Sequence, residues 1–138
     1  MTPTPYLIFH GTCRQAMARY AEIFGGEITA MMPARDLPPG SMPIPEDKAD
    51  WIMHAALRIG SGELLASDDV TGATPAMAGC SVYMALPTAE AGLTVFDRLS
   101  DGGQVTMPYQ KTFWSAGFGM LRDRFGVNWM ISTTAEPA

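Results

Sequence analysis

Histidine, cysteine and positive charge are all scarce in this chain, and each shortage removes a class of function. Nine Lys plus Arg stand against fourteen Asp plus Glu, leaving a formal net charge of −5 over 138 residues. The cations are thinly spread, so no basic stripe is offered to a nucleic acid or an anionic membrane. The two cysteines, Cys13 and Cys80, form no C-x-x-C pair and have no histidine cluster nearby. Zinc and redox-pair chemistry therefore lack support, and buried free thiols are expected. No apolar run approaches the roughly 20 residues that cross a bilayer. Met1 to Pro5 has neither the basic start nor the apolar stretch of a secretory signal, so a cytoplasmic protein is expected. No G-x-S-x-G, P-loop, H-E-x-x-H or catalytic Cys/His arrangement occurs.

What is abundant is apolar: 47% of the residues are hydrophobic, enough for one domain with its own core. Eleven methionines are many for this length, and their flexible thioethers suit ordinary core filling or an adaptable apolar surface. An uncharged or apolar small ligand, or another protein surface, fits this composition.

Pro5 to Phe9 reads as a short buried strand, ended at His10-Gly11. Thr12 is placed as the N-cap of a helix from Cys13 to Phe24, where Ala16, Met17, Tyr20, Ile23 and Phe24 recur at helical spacing. Gly25-Gly26 stops it, and Glu27 to Met32 reads as a strand. Five prolines between Pro33 and Asp50 predict a long surface loop, read equally as a lid or a stiff excursion. Trp51 to Ile59 and Glu63 to Ser67 read as a hairpin across Gly60-Ser61-Gly62. The order then recurs. Cys80 to Leu86 is a strand, and Thr88 caps a helix from Ala89 to Ser100 with Leu93, Phe96 and Leu99 on one face. Gly102-Gly103 precedes a strand opening at Gln104, a second loop spans Lys111 to Gly117, and Phe118 to Asp123 and Val127 to Thr133 close a hairpin.

Two local matches support a duplication. Gly25-Gly26-Glu27-Ile28-Thr29 parallels Gly102-Gly103-Gln104-Val105-Thr106, and Leu57-Arg58, four residues before Gly62, parallels Leu121-Arg122, four before Gly126. The expected fold is α+β: one domain over residues 1–138 made of two β-α-β-β-β units, about 4–69 and about 79–134. Its antiparallel-rich sheets curve around a shared cavity, within the chain or across a dimer.

Pro5-Tyr6-Leu7, Ile23-Phe24-Gly25-Gly26-Glu27-Ile28, Ile52-Met53-His54-Ala55 and Leu65-Ala66-Ser67-Asp68 resemble the PhnB-like branch of the glyoxalase/bleomycin-resistance superfamily. So do Val105-Thr106-Met107-Pro108, Lys111-Thr112-Phe113-Trp114, Phe118-Gly119-Met120-Leu121, Asp123, Phe125-Gly126-Val127 and Trp129-Met130. The resemblance covers nearly the whole chain and implies the paired fold and a homodimer. Members of this branch often carry a 3-demethylubiquinone-9 3-methyltransferase label. The Gly-rich turn after a first strand that a doubly wound methyltransferase needs is missing here, because both Gly-Gly steps follow helices.

The resemblance also implies where a divalent metal would sit, on the first and last strands of each unit and mostly on His and Glu. Registered on Thr12, Thr88, Gly62 and Gly126, those positions fall near Pro5, Ala66, Ser81 and Met130, none a good ligand. No catalytic metal and no other cofactor is therefore expected. His54 and Asp68 remain as catalytic candidates, His54 as a base or polar anchor and Asp68 as its orienter, against the plainer readings of a buried histidine and a strand-end turn. Ser67, Tyr83, Trp114 and Phe118 are the candidate ligand contacts, with Gln110, Lys111 and Phe113 completing an aromatic and cationic loop. The leading expectation is a metal-independent protein that binds a small apolar or aromatic molecule as a homodimer. The alternatives are a divalent-metal-dependent lyase, isomerase or dioxygenase using His54 and Asp68, and a dimeric interaction module with no ligand.

Overall fold

The computed structural model describes residues 1–137. Two compact units, Met1–Pro75 and Ala76–Ala138, each contain one helix and one four-stranded sheet. In the first unit β1 (Tyr6–Phe9), α1 (Cys13–Phe24), β2 (Glu27–Pro33), β3 (Ile52–Ile59) and β4 (Gly62–Asp68) follow in order. The second repeats them as β5 (Val82–Leu86), α2 (Ala89–Ser100), β6 (Gln104–Gln110), β7 (Phe118–Arg122) and β8 (Asn128–Thr133). The sheet orders are β1-β4-β3-β2 and β5-β8-β7-β6. In each, the first strand lies parallel to the last and the other neighbours are antiparallel. Neither sheet closes on itself, and the expected β-α-β-β-β repeat is the observed one.

The two sequence matches that indicated duplication are one packing device. Gly25 adopts φ +68° at the end of α1, and the Gly26 amide returns to the Ala21 carbonyl at 2.9 Å. A Cβ on Gly26 would lie 2.6 Å from the Arg58 carbonyl oxygen, and one on Gly103 would lie 2.3 Å from that of Arg122. Only glycine lets the chain leaving each helix press against the strand that carries Leu-Arg. Glu27 then pairs with Arg58 in the ladder, as Gln104 pairs with Arg122.

Each helix covers one face of its own sheet. From α1, Cys13, Ala16, Met17, Tyr20 and Ile23 are buried, opposite Leu7, Phe9, Ala55, Leu57, Leu64 and Ala66 of the sheet. In the second unit Gly92, Val95, Phe96 and Leu99 pack toward Val82, Leu121, Trp129 and Ile131. Leu93 is 44% exposed, so the stripe assigned to this helix is shifted: Val95 and Gly92 take the inward place given to Leu93. At about 1.5–3 kcal/mol per fully buried large side chain, these layers are the main source of each unit's stability.

Two further expectations are corrected. The Thr12 hydroxyl accepts no capping hydrogen bond; the start of α1 is instead held by Asp68, whose Oδ1 accepts from the Gly11 amide at 2.8 Å and the Cys13 amide at 3.1 Å. Thr88 does cap its helix, accepting from Ala91 N at 3.0 Å. Cys13 is buried as expected, but Cys80 is exposed, because it precedes β5 and never enters the core. The Pro33 to Asp50 excursion holds two 3-10 turns, Ala34–Asp36 and Glu46–Lys48. Its ends are tied by Ala34 N to Trp51 O at 2.7 Å and Arg35 N to Ala49 O at 2.9 Å, and an Arg35–Asp50 ion pair adds to this stem.

Candidate functional site

Alternation along the strands sends every second side chain away from the helix, so each unit has one covered face and one open face. The register identifies the open face of the first. Tyr6 pairs with Leu65 and Ile8 with Ser67 across β1 and β4, Ala56 pairs with Leu65, and Met32 pairs with His54. Tyr6, Ile8 and Met32 are exposed there, and the Tyr6 and His54 rings are 6.3 Å apart. His54 is thus half-buried on an apolar sheet surface beside a phenol.

Asp68 points the other way. Its side chain is buried, and its two oxygens accept three backbone amides: Gly11, Cys13 and, through Oδ2, Ile52 at 2.9 Å. One carboxylate thereby joins the end of β4 to the start of α1 and the start of β3. The register puts His54 on the open face and turns the Asp68 carboxylate toward the helix, where it clamps three backbone segments. Asp69 beside it is also spent. Its oxygens accept the amides and hydroxyls of Thr71 and Thr74, bonds that hold its carboxyl well below the usual range. Ile8, Ser67, Asp68, Asp69, Ala73 and these threonines border a hollow of about 470 Å³ at the end of β4, so Asp68 reaches its wall although its oxygens are engaged by amides; His10 Nε2 lies 2.9 Å from the Thr74 carbonyl.

The second unit's open face is built around one row of paired residues. Met107 pairs with Met120, Met120 with Met130, and Met130 with Tyr83, so the row crosses β6, β7, β8 and β5. A register shift next to Met107 marks a bulge in β6, the edge strand that also tolerates Pro108. Tyr83 is 57% exposed. Two residues along β7 and β8 on the same face, Phe118 pairs with Ser132, and the ring of Trp114 stands edge-on to Phe118 at 5.6 Å. Phe118 is therefore covered by Trp114, which is itself half exposed and meets the fully open Phe113 at 4.7 Å.

The loop that carries these aromatics is pinned by buried Ser115. Its Oγ donates to Gly117 O at 2.7 Å, accepts from Gly117 N at 3.2 Å, and lies 3.3 Å from Ser132 Oγ. Tyr109 donates to Ala89 O at 2.8 Å, and burial raises its phenol pKa. Met120, Met130, Cys80, Ser81, Thr106 and Asn128 border a second hollow of about 430 Å³. Behind β8, Asp123 mirrors the economy of Asp68: Oδ1 accepts from Phe125 N and Val127 N, and Oδ2 from Trp129 Nε1, each at 2.9 Å.

The expected metal positions shift with this register. Pro5 and Ser81 lie just outside β1 and β5, and Ala66 faces α1, fully buried. The open-face residues of the four relevant strands are Tyr6 and Ile8, Leu65 and Ser67, Tyr83 and Ala85, and Met130 and Ser132. Neutral hydroxyls and a thioether are a poor match for a hard divalent cation, which takes carboxylate, carbonyl or imidazole ligands. Among the described residues no three His, Cys, Asp or Glu side chains gather as such an ion requires. These residues do not fit the superfamily's metal.

The methionine row was missed in the sequence. Part of it is arithmetic, since Met120 and Met130 are equidistant from Phe125 in the β7–β8 turn; placing Met107 and Tyr83 beside them needs the register of two further strands.

The profile of the Glyoxalase/Bleomycin resistance protein/Dioxygenase superfamily matches residues 4–131. The chain is 31% identical over 146 aligned residues to Protein YjdN of Escherichia coli strain K12, covering 99% of this chain and 97% of that one. Among solved structures it is similar to protein PA1353 from Pseudomonas aeruginosa, at 41% identity and a TM-score of 0.84, covering 96% and 97% of the two chains. It is also similar to a Bacillus cereus PhnB protein described as a putative 3-demethylubiquinone-9 3-methyltransferase. That match has 26% identity and a TM-score of 0.82, covering 97% of this chain and all of the other.

Proposed function

The chain belongs to the Glyoxalase/Bleomycin resistance protein/Dioxygenase superfamily, and we propose that it is a PhnB-like member that binds a small apolar or aromatic molecule without the superfamily's catalytic metal. The observation that carries this reading is the chemistry of the open faces. The first and last strands present Tyr6, Ile8 and Leu65 in the first unit and Tyr83 and Met130 in the second where hard ligands would be needed, and Trp114 adds a half-exposed ring against Phe118 in the second unit. Aromatic and thioether side chains give a ligand contact area and polarizability; Tyr6 and Ser67 on the first unit's open face, and Tyr83 on the second's, each offer a hydroxyl that can orient a ligand on its own face. A homodimer in the cytoplasm completes the proposal. The exposed Tyr6, Ile8, Tyr83 and Met107 support the dimer, since a second copy would remove such surface from water. Among the described residues no helix is long and apolar enough to cross a membrane.

Two measurements test it on the purified full chain. Elemental analysis is expected to find far less than one divalent metal per chain; a stoichiometric metal that supports turnover would overturn the metal-free reading. Anilinonaphthalenesulfonate is expected to bind and to quench Trp114. Trp114→Ala and Tyr83→Ala should each weaken it by about fivefold, the share of one aromatic contact. Binding unchanged in both variants, with native circular dichroism, would refute the ligand face.

A further inference from the structure

We infer that the open face of the second unit carries a soft-metal site in which Cys80, Met120 and Met130 hold a Cu(I) ion. The three sulfur-bearing side chains border the same hollow of about 430 Å³. Met120 and Met130 are directly paired across β7 and β8, which sets their Cβ atoms about 5 Å apart. Met107, opposite Met120 on β6, brings a third thioether to the same row. Each methionine has three rotatable bonds between its Cα and its terminal methyl, so its sulfur can take many positions along the wall of the hollow.

The donor set selects the ion. Thiolate and thioether ligands favour Cu(I), whereas Mg(II), Ca(II) and Mn(II) take oxygen and Zn(II) takes imidazole or several thiolates. No carboxylate or imidazole borders this hollow, and its one amide side chain is already engaged: Asn128 Nδ2 donates to Cys80 O at 3.1 Å and to Met77 O at 3.4 Å. That bond fixes the backbone of Cys80 at the rim, where the thiol is exposed. Met77 is a weaker candidate, because its sulfur accepts from Asn128 N at 3.4 Å. On binding, the Cys80 S–H proton leaves to solvent and the sulfur lone pair bonds the ion; no electron is transferred. A monovalent cation and one thiolate carry no net charge between them, so the ion adds none beside the Arg122 guanidinium, which donates to Met77 O at 3.2 Å and to Asn128 Oδ1 at 3.4 Å. This is not the superfamily's site: of the three ligands only Met130 lies on a last strand, Met120 being on β7 and Cys80 preceding β5.

The test is an anaerobic titration of the full chain with Cu(I) against a chromogenic Cu(I) chelator, read together with thiolate-to-copper absorption in the ultraviolet. The wild type is expected to take up one equivalent and to show the absorption band. Cys80→Ser should lose the band, and the double variant Met120→Leu, Met130→Leu should bind about tenfold more weakly or worse. Cys13→Ala should behave as wild type, since that thiol is buried in the other unit. Protection of Cys80 from iodoacetamide by one equivalent of Cu(I), read by mass spectrometry on the wild type, keeps the test decisive if the double leucine variant does not fold. No competition with the chelator, wild-type affinity in the leucine variant, or alkylation of Cys80 undiminished by Cu(I) would each overturn the assignment.

Discussion

Replacing Asp68 by asparagine separates a structural carboxylate from a catalytic one. In the wild type its two oxygens satisfy three amides, of which those of Cys13 and Ile52 are buried. The amide side chain keeps one acceptor oxygen. If that oxygen stays with Gly11 and Cys13, the new NH2 group faces the Ile52 N–H, donor against donor. One hydrogen bond to a charged acceptor is lost, worth about 1.5–3 kcal/mol, and a buried N–H is left without a partner at about 1–3 kcal/mol. Some of this is recovered because the carboxylate's own desolvation is no longer incurred. The expected net loss is about 2–4 kcal/mol, a large share of the ~5–15 kcal/mol that holds a domain together. Asp68→Ala strands all three amides and is expected to leave the first unit largely unfolded, which makes asparagine the informative change.

Urea unfolding followed by far-ultraviolet circular dichroism, with Trp51 fluorescence reporting the first unit, reads the loss directly. A variant within about 0.5 kcal/mol of wild type, the range of an ordinary surface substitution, would refute the clamp. So would a variant of unchanged stability that has lost an activity of the wild type, because that is the signature of a catalytic acid.

Three further outcomes follow from the same geometry. Thr88→Ala should cost about 1 kcal/mol in unfolding free energy, while Thr12→Ala stays within about 0.5, because only Thr88 supplies a cap; equal losses would contradict the assignment. Gly103→Ala should destabilise by about 1–3 kcal/mol, since its Cβ would meet the Arg122 carbonyl, and a thermal melt at wild-type temperature would disprove that contact. Burial first, and the Asp68 carboxylate second, push the Cys13 thiol up to about 12. A raised native pKa gives stability that is complete below the unfolded thiol's ~8.5 and is lost above it at about 1.4 kcal/mol per pH unit. Wild type should therefore lose about 2 kcal/mol more than Cys13→Ala between pH 8 and pH 10, and parallel profiles would rule this out.

The elements were legible because their signals are local. The stripe Ala16, Met17, Tyr20, Ile23 lies within a few turns of helix, and Gly-Gly marks a stop wherever it follows one. Even the duplication was legible, since the glycine pair and the Leu-Arg pair that receives it each recur as dipeptides. Asp68 had no such signal: two of its partners lie 57 and 55 residues away in the chain, and nothing in Ser67-Asp68-Asp69 tells a buried clamp from a turn.

The harder obstacle was parity. In a strand, a site residue and a core residue differ by one position, and an error of one exchanges the two faces completely. On β4 the sequence Leu64-Leu65-Ala66-Ser67-Asp68 places apolar residues on both parities, so hydrophobicity does not say which face carries the helix. The ladder does: Leu64 and Ala66 pair with Leu57 and Ala55, all four buried, and this turns Asp68 inward and Ser67 outward. The same rule decides the candidate ligands in the second unit. Leu121 and Trp129 form a buried pair, so Met120 and Met130, one position away on each strand, must share the opposite face. A sheet apolar on both faces hides its parity because hydrophobicity alone no longer tells the covered face from the open one, and only the ladder separates them.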